Sequence, residues 1–270
     1  MLEPYERIAN NDLSFHGVEA EKVADPIAIG AVGGSGTRAM AAILGAAGVA
    51  MASPLNRAGD AMEWPPMRKL LTPEAIERHS RERLMHNILY GFESLLDLRR
   101  GALGLDGRVC WKVPGTFLWL EDFASYFPGM QYIHMIRHGL DMAYSNNQNQ
   151  ASNWSSRFDL EPEYMQDGRV SPGSVLEYWL RANEYAMQTG ERLLGERLLV
   201  IRFEELCQSP VREIQRILAA LQLRVTESTL VELAATIAPP SSLGRYRQFD
   251  WKGDFSSDQL QRLEALGFSV

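Results

Sequence analysis

Two short stretches of this 270-residue chain combine residues suited to holding phosphate. The first is GAVGGSGTRA, from Gly30 to Ala39. A glycine-rich turn that follows a strand and opens a helix presents free backbone N–H groups at the positive end of the helix dipole, which suits an anion. The second is YIHMIRHGLDMAYSNN, with Arg137 at a predicted strand end, Asp141 four residues on and Ser145 eight residues on. If a helix begins near Leu140, Ser145 sits one turn beyond Asp141, and Arg137 and Ser145 converge as the guanidinium and hydroxyl of one phosphate site.

The first loop is not a nucleoside-triphosphate loop of the usual kind. Gly36 is followed by Thr37 and Arg38, where that pattern needs Lys and then Ser or Thr. The phosphate lysine and the Mg²⁺-holding hydroxyl are both missing, which argues against a kinase. A dinucleotide site fits poorly too, because no acidic residue closes a second strand about 20 residues later.

Positioning these groups requires a sheet. Four short apolar runs read as buried strands: Pro26–Val32, Arg108–Val113, Gln131–Arg137 and Arg197–Arg202. Helical stretches are predicted over Arg38–Met51, Pro73–Arg100, Gly173–Leu194, Pro210–Leu221 and Glu227–Ile237, with Ser209 as a cap before Pro210. Alternation of the two kinds implies parallel strands in βαβ units and ligand binding at their carboxyl ends. The polar stretch 146–172 reads as a long loop, a lid or substrate wall within a single domain of residues 1–270.

Composition is that of an ordinary soluble domain: 46% hydrophobic, 23% charged, net charge −7. The acidic balance argues against a broad nucleic-acid surface but permits a local basic pocket. Two cysteines, Cys110 and Cys207, form no disulfide or metal pattern, so a reducing, cytoplasmic setting is expected. The polar N-terminus does not read as a signal peptide, and the longest apolar run, Ala39–Ala52, is too short to span a membrane. The histidines read as structural, with His16 in the N-terminal arm. Trp154, Phe158, Tyr164 and Trp179 are aromatic at spacings that suit either an apolar pocket or core packing.

Five segments in order resemble the sulfotransferases that use 3′-phosphoadenosine 5′-phosphosulfate (PAPS). Gly34-Ser35-Gly36-Thr37-Arg38 resembles their first loop, and Arg137, Asp141 and Ser145 their second signature. Lys112-Val-Pro114 is similar to a Lys-x-Pro of bacterial members. Val200-Ile-Arg-Phe-Glu-Glu-Leu206, with Pro210 after it, and Leu243-Gly-Arg-Tyr-Arg247 match two later motifs. The resemblance implies a P-loop-type three-layer α/β fold with a central parallel sheet and flanking helices. It implies PAPS as cofactor and 3′,5′-ADP as product. Gly34 and Ser35 to Arg38 would hold the 5′-phosphosulfate, and Arg137 and Ser145 the 3′-phosphate. Phe203 would lie near the adenine, with Arg245 and Arg247 closing over the nucleotide.

The chain departs from that pattern at two places. The loop cation of the family would stand at position 34, which is Gly; Lys112 and Arg38 are the candidates to replace it. The histidine base of many cytosolic members would fall at Pro114, so a carboxylate is expected instead. The run Asn56–Trp64 offers Glu63, beside Trp64 and Pro65, and Asp60. The implied activity is metal-independent sulfuryl transfer to a hydroxyl of a small molecule, lipid or carbohydrate, with a homodimer left open. The competing expectation is a PAPS- or 3′,5′-ADP-binding protein that has lost catalysis.

Overall fold

The computed structural model describes residues 23–52, 55–57, 60–62, 64–105 and 107–270. Among these residues five strands form one parallel sheet: β1 (Ile27–Ala31), β2 (Ala50–Met51), β3 (Val109–Lys112), β4 (Gln131–Ile136) and β5 (Leu198–Arg202). Their spatial order is β2-β3-β1-β4-β5, so β1 is central. Ile29 pairs with Lys112 on one side and Ile133 on the other, which sets the register of the carboxyl ends.

Strand alternation sends side chains to two apolar layers. Ile27, Ile29, Cys110, Ile133 and Ile201 face one layer. It is completed by α1 (Thr37–Ala46) and by two later helices, α10 (Pro210–Ala220) and α11 (Glu227–Thr236). Ala28, Trp111 and Tyr132 face the other, built from α4 (Arg81–Ala102), α5 (Leu120–Tyr126), α8 (Pro172–Leu194) and α12 (Ser257–Ala265). The shorter helices are α2 (Trp64–Arg68), α3 (Pro73–His79), α6 (Gly139–Ala143), α7 (Asn149–Trp154) and α9 (Phe203–Gln208). The expected three-layer arrangement is the one observed.

Several boundaries differ from expectation. The helix predicted to reach Met51 ends at Ala46, and Ala50–Met51 become the edge strand β2, paired with Val109–Cys110. A small-residue run has no period that separates helix from strand, so only the pairing partner decides. The stretch predicted as one helix from Pro73 breaks at Ser80, whose φ of 63° ends α3, while its hydroxyl accepts the Arg83 N–H at the start of α4. Ser209 precedes Pro210 as predicted but makes no side-chain cap bond. The stretch 146–172 is not all loop: it contains α7, a 3₁₀ turn at Ser155–Phe158 and a bridge between Tyr164 and Val170. The reading of His16 falls outside the described residues.

Among the described residues no helix is long and apolar enough to cross a membrane. Both cysteines are buried and free, and among the described residues no group of three His, Cys, Asp or Glu could hold a metal ion.

Candidate active site

The carboxyl ends of all five strands open into one cavity of about 660 Å³. Its walls follow from the sheet order. The turn after β1 forms the floor. The segments after β4 and β5 bring Arg137 and Phe203 to one side. The segments after β2 and β3 bring Asp60, Lys112 and Pro114 to the other.

The β1 turn is shaped by its glycines. Gly34 and Gly36 hold φ values of 92° and 86°, in the region that favours glycine. A Cβ on Gly36 would overlap the Phe203 ring, and one on Gly34 would lie 2.9 Å from Met142 Cε. In this conformation a side chain at position 34 would be strained. Ser35 turns inward, its hydroxyl donating to the Val32 carbonyl at 2.6 Å. The Gly33 N–H donates to Gln150 Oε1 at 2.9 Å, which ties the turn to α7. Thr37 opens α1 and lines the cavity together with Arg38, which is exposed and has no ion-pair partner among the described residues.

Lys112 and Asp60 come together. Lys112 ends β3 with only 1% of its surface exposed, and its ammonium forms an ion pair with Asp60 Oδ1. Asp60 is held in place by a small hairpin. Asn56 Nδ2 donates to Asp60 Oδ2 and the Asp60 N–H donates to Asn56 Oδ1, both at 2.9 Å. The hairpin docks on the sheet where the Ala61 N–H donates to the Lys112 carbonyl. A buried ammonium needs such a partner, since a lone charge removed from water costs several kcal/mol. Glu63, the other predicted carboxylate, lies outside the described residues.

Arg137 leaves β4 and is 6% exposed. Its guanidinium lies over Phe203, 5.6 Å from the ring centroid, and donates to the Ser242 carbonyl and hydroxyl and to Asp141. Its Nε has no hydrogen-bond partner although it is buried at the cavity wall. A buried, unsatisfied charged donor is what an anion site leaves behind when its ligand is not counted. Ser145 is placed differently from expectation: its hydroxyl accepts the Asn147 N–H at 3.1 Å and does not line the cavity. The hydroxyl beside Arg137 is that of Ser242.

Asp141 is buried and accepts the Gly244 N–H at 2.7 Å and the Tyr246 N–H at 3.4 Å, so it clasps the C-terminal segment to α6. Arg245 beside this clasp reaches the Ser242 and Tyr144 carbonyls, each at 3.4 Å. Its pKa is lowered by burial and by the nearby Arg137 charge. Arg247 lies over the Tyr246 ring, outside the main cavity. Of the aromatic candidates, Trp154 lines the cavity, Trp179 belongs to the core, Phe158 packs on Tyr178 and Tyr185, and Tyr164 is exposed. Sequence reasoning did not single out Asn56, Arg68, Gln150, Arg157 or Ser242, all of which line the cavity. Only Asn56, four residues before Asp60, carried a local signal.

Residues 26–227 match the sequence profile of the sulfotransferase family, and the chain belongs to that family, whose members transfer a sulfuryl group from PAPS. No curated protein matches the chain in sequence. The solved structures that share its fold include two sulfotransferase domains. The sulfotransferase domain of the Synechococcus PCC 7002 olefin synthase aligns with a TM-score of 0.57 at 17% identity, over 93% of this chain and 97% of that one. The sulfotransferase domain of the curacin biosynthetic pathway aligns with a TM-score of 0.60 at 14% identity, over 93% of this chain and 100% of that one.

Proposed function

We propose that this member of the sulfotransferase family moves the sulfuryl group of PAPS to an alcohol, with Lys112 and Asp60 as the reacting pair. The observation that carries the assignment is their ion pair in the same cavity as the glycine turn and Arg137. The residues present fit the nucleotide. The turn from Gly34 to Thr37 is a backbone cradle in which a Cβ at Gly34 or Gly36 would crowd a neighbouring side chain, and the buried Arg137 Nε awaits an acceptor. In this reading Gly34, Ser35, Gly36, Thr37 and Arg38 hold the 5′ end, and Arg137 holds the 3′-phosphate with Ser242 or Ser145 as the hydroxyl. Phe203 packs beside the base, and Arg245 and Arg247 belong to the C-terminal segment that closes over it.

Bound there, PAPS supplies the sulfuryl group, which passes in line from a phosphate oxygen to the acceptor hydroxyl oxygen. Asp60 takes the hydroxyl proton, and the hairpin bonds from Asn56 hold its carboxylate in one orientation. Lys112, fixed by the strand, sets a positive charge where negative charge builds, the role the loop lysine cannot take at Gly34. The N-terminus of α1 adds its backbone N–H groups. Residues 146–172 serve as the wall over this site, pinned to the turn through Gln150 and braced internally by the bonds between Gln148 and the Val170 backbone. Cations and backbone donors do this work without a metal, since the loop lacks the Lys and Ser or Thr pair that holds one. The acceptor is a small-molecule, lipid or carbohydrate alcohol, and the setting is cytoplasmic.

The test is calorimetry with 3′,5′-ADP, 5′-ADP and ATP, followed by transfer from ³⁵S-labelled PAPS after chelator treatment. Tighter binding of 3′,5′-ADP and label transfer to an alcohol are expected. Equal affinity for the three nucleotides, or a strict Mg²⁺ requirement, would reject the proposal.

A further inference from the structure

The cavity wall carries two cations beyond Arg38, Lys112 and Arg137. Arg38, Lys112 and Arg137 stand where the phosphates are read, but Arg68 and Arg157 also line the wall, against Asp60 as the one acid lining among the described residues. Arg68 ends α2. Arg157 lies in the 3₁₀ turn after α7. Neither makes an ion pair among the described residues, in a protein of net charge −7 where carboxylates are plentiful. Burial and the neighbouring Arg157 charge together lower the Arg68 pKa, so the two guanidinium groups share one field. Two like charges held together over a cavity, without a carboxylate between them, favour an anion from outside.

The wall around them is apolar and aromatic. Trp119 and Trp154 line the same side with Leu118, and Trp154 is fixed by close packing on Gly115 and an edge contact with Phe117. These residues line the same cavity as Lys112 and Asp60.

We infer that the acceptor is a hydroxylated organic acid, whose anionic group is held by Arg68 and Arg157 while its body packs on Trp119 and Trp154 and its hydroxyl meets Asp60. The inference rests on the sulfotransferase reading and names the substrate class of that site. A carboxylate suits the fork of an arginine, and two arginines read it without contacting the nucleotide. Because Arg157 is exposed to solvent, its contribution is screened.

Calorimetric titration of the protein saturated with 3′,5′-ADP tests this with matched probes: octanoate and octanamide, phenylacetate and phenylacetamide, 3-hydroxyoctanoate and its amide. At least one acid should bind about tenfold more tightly than its amide, the scale of about one charge-assisted contact at a half-exposed site. The double substitution Arg68→Gln, Arg157→Gln should abolish that preference and leave 3′,5′-ADP affinity unchanged. No preference for any acid over its amide, whether both bind or neither does, overturns the inference; so does a preference that survives the double substitution. If 3′,5′-ADP itself fails to bind, the sulfotransferase reading falls and this inference with it, so the two failures are distinct.

Discussion

The ammonium of Lys112 and the carboxylate of Asp60, 52 positions apart in sequence, form an ion pair at the carboxyl end of β3. The lysine is buried to 1% exposure while Asp60 keeps 20% of its side chain accessible. Both line the cavity, the carboxylate the more accessible of the two and the lysine fixed by the strand. A base exposed to substrate and a cation fixed by a strand are the two components the glycine turn does not provide.

Replacing Lys112 by Met should lower kcat by roughly 10²–10³-fold, the effect of losing one preorganised charge, with 3′,5′-ADP affinity nearly unchanged. Met keeps the apolar stem, so the strand end stays packed, and Asp60 is open enough to be hydrated when its partner is gone. Arg38→Met is the comparison. If Arg38→Met abolishes turnover while Lys112→Met does not, the charge belongs to Arg38. Asp60→Asn should lower kcat by about 10²–10⁴-fold, as expected for loss of a general base.

A lysine at position 34 should not restore turnover to the Lys112→Met variant. Gly34 has φ of 92°, which strains an L side chain by roughly 1 kcal/mol, and Met142 Cε already occupies the space a Cβ needs. Gly34→Lys in the otherwise natural chain should weaken 3′,5′-ADP binding. Recovery of near-normal kcat in the double variant would show that the turn adapts and that Lys112 is no obligatory replacement.

The parts of the fold and site visible in the sequence are the local ones. The glycine turn, Lys112 at a strand end and Arg137 at another are each announced by a few neighbouring residues, and the sheet brings them together by its register. Ser242 beside Arg137, Gln150 under Gly33 and the Arg68–Arg157 pair join positions about 90 to 120 residues apart or on separate elements, and no spacing rule reaches that far. Met51 shows the same limit within the fold, since its strand exists only because β3 lies beside it. Ser145 had the right spacing but lies past the end of α6, where the backbone turns and its hydroxyl is taken by Asn147.

Stability should decline as pH falls from about 6.5 toward 4. His134 is fully buried between the Tyr132 hydroxyl and Asn183 Oδ1, each at 2.9 Å. Burial outweighs the Asn183 bond and lowers its pKa to about 4. The unfolded chain protonates this histidine near pH 6.5, so it binds more protons than the native state in that window, and folding weakens by at most about 3 kcal/mol. Urea unfolding at pH 7 and pH 4.5 measures the change. His134→Gln should lose that part of the pH dependence even though it is less stable at neutral pH; an unchanged slope would assign the acid sensitivity to other groups.

Arg137 should set the preference for 3′,5′-ADP over 5′-ADP. Its Nε is buried without an acceptor at the cavity wall, while its Nη2 is already anchored by Asp141 and Ser242. The guanidinium is thus anchored through Nη2 with its buried Nε donor unspent, and Phe203 beneath it blocks retreat. A 3′-phosphate supplies a charged acceptor, whereas 5′-ADP offers only a neutral 3′-hydroxyl. A charge-assisted bond of roughly 1.5–3 kcal/mol corresponds to a preference of about 10- to 150-fold. Arg137→Ala should reduce the preference to near unity with little effect on 5′-ADP binding. Ser242→Ala and Ser145→Ala separate the two candidate hydroxyls: because Ser242 lies beside Arg137 and Ser145 is engaged by Asn147, the larger loss is expected at Ser242. A loss confined to Ser145→Ala would mean that the nucleotide draws the end of α6 toward Arg137, and a preference that persists in Arg137→Ala would move the 3′-phosphate site elsewhere, with Arg245 the next guanidinium to replace.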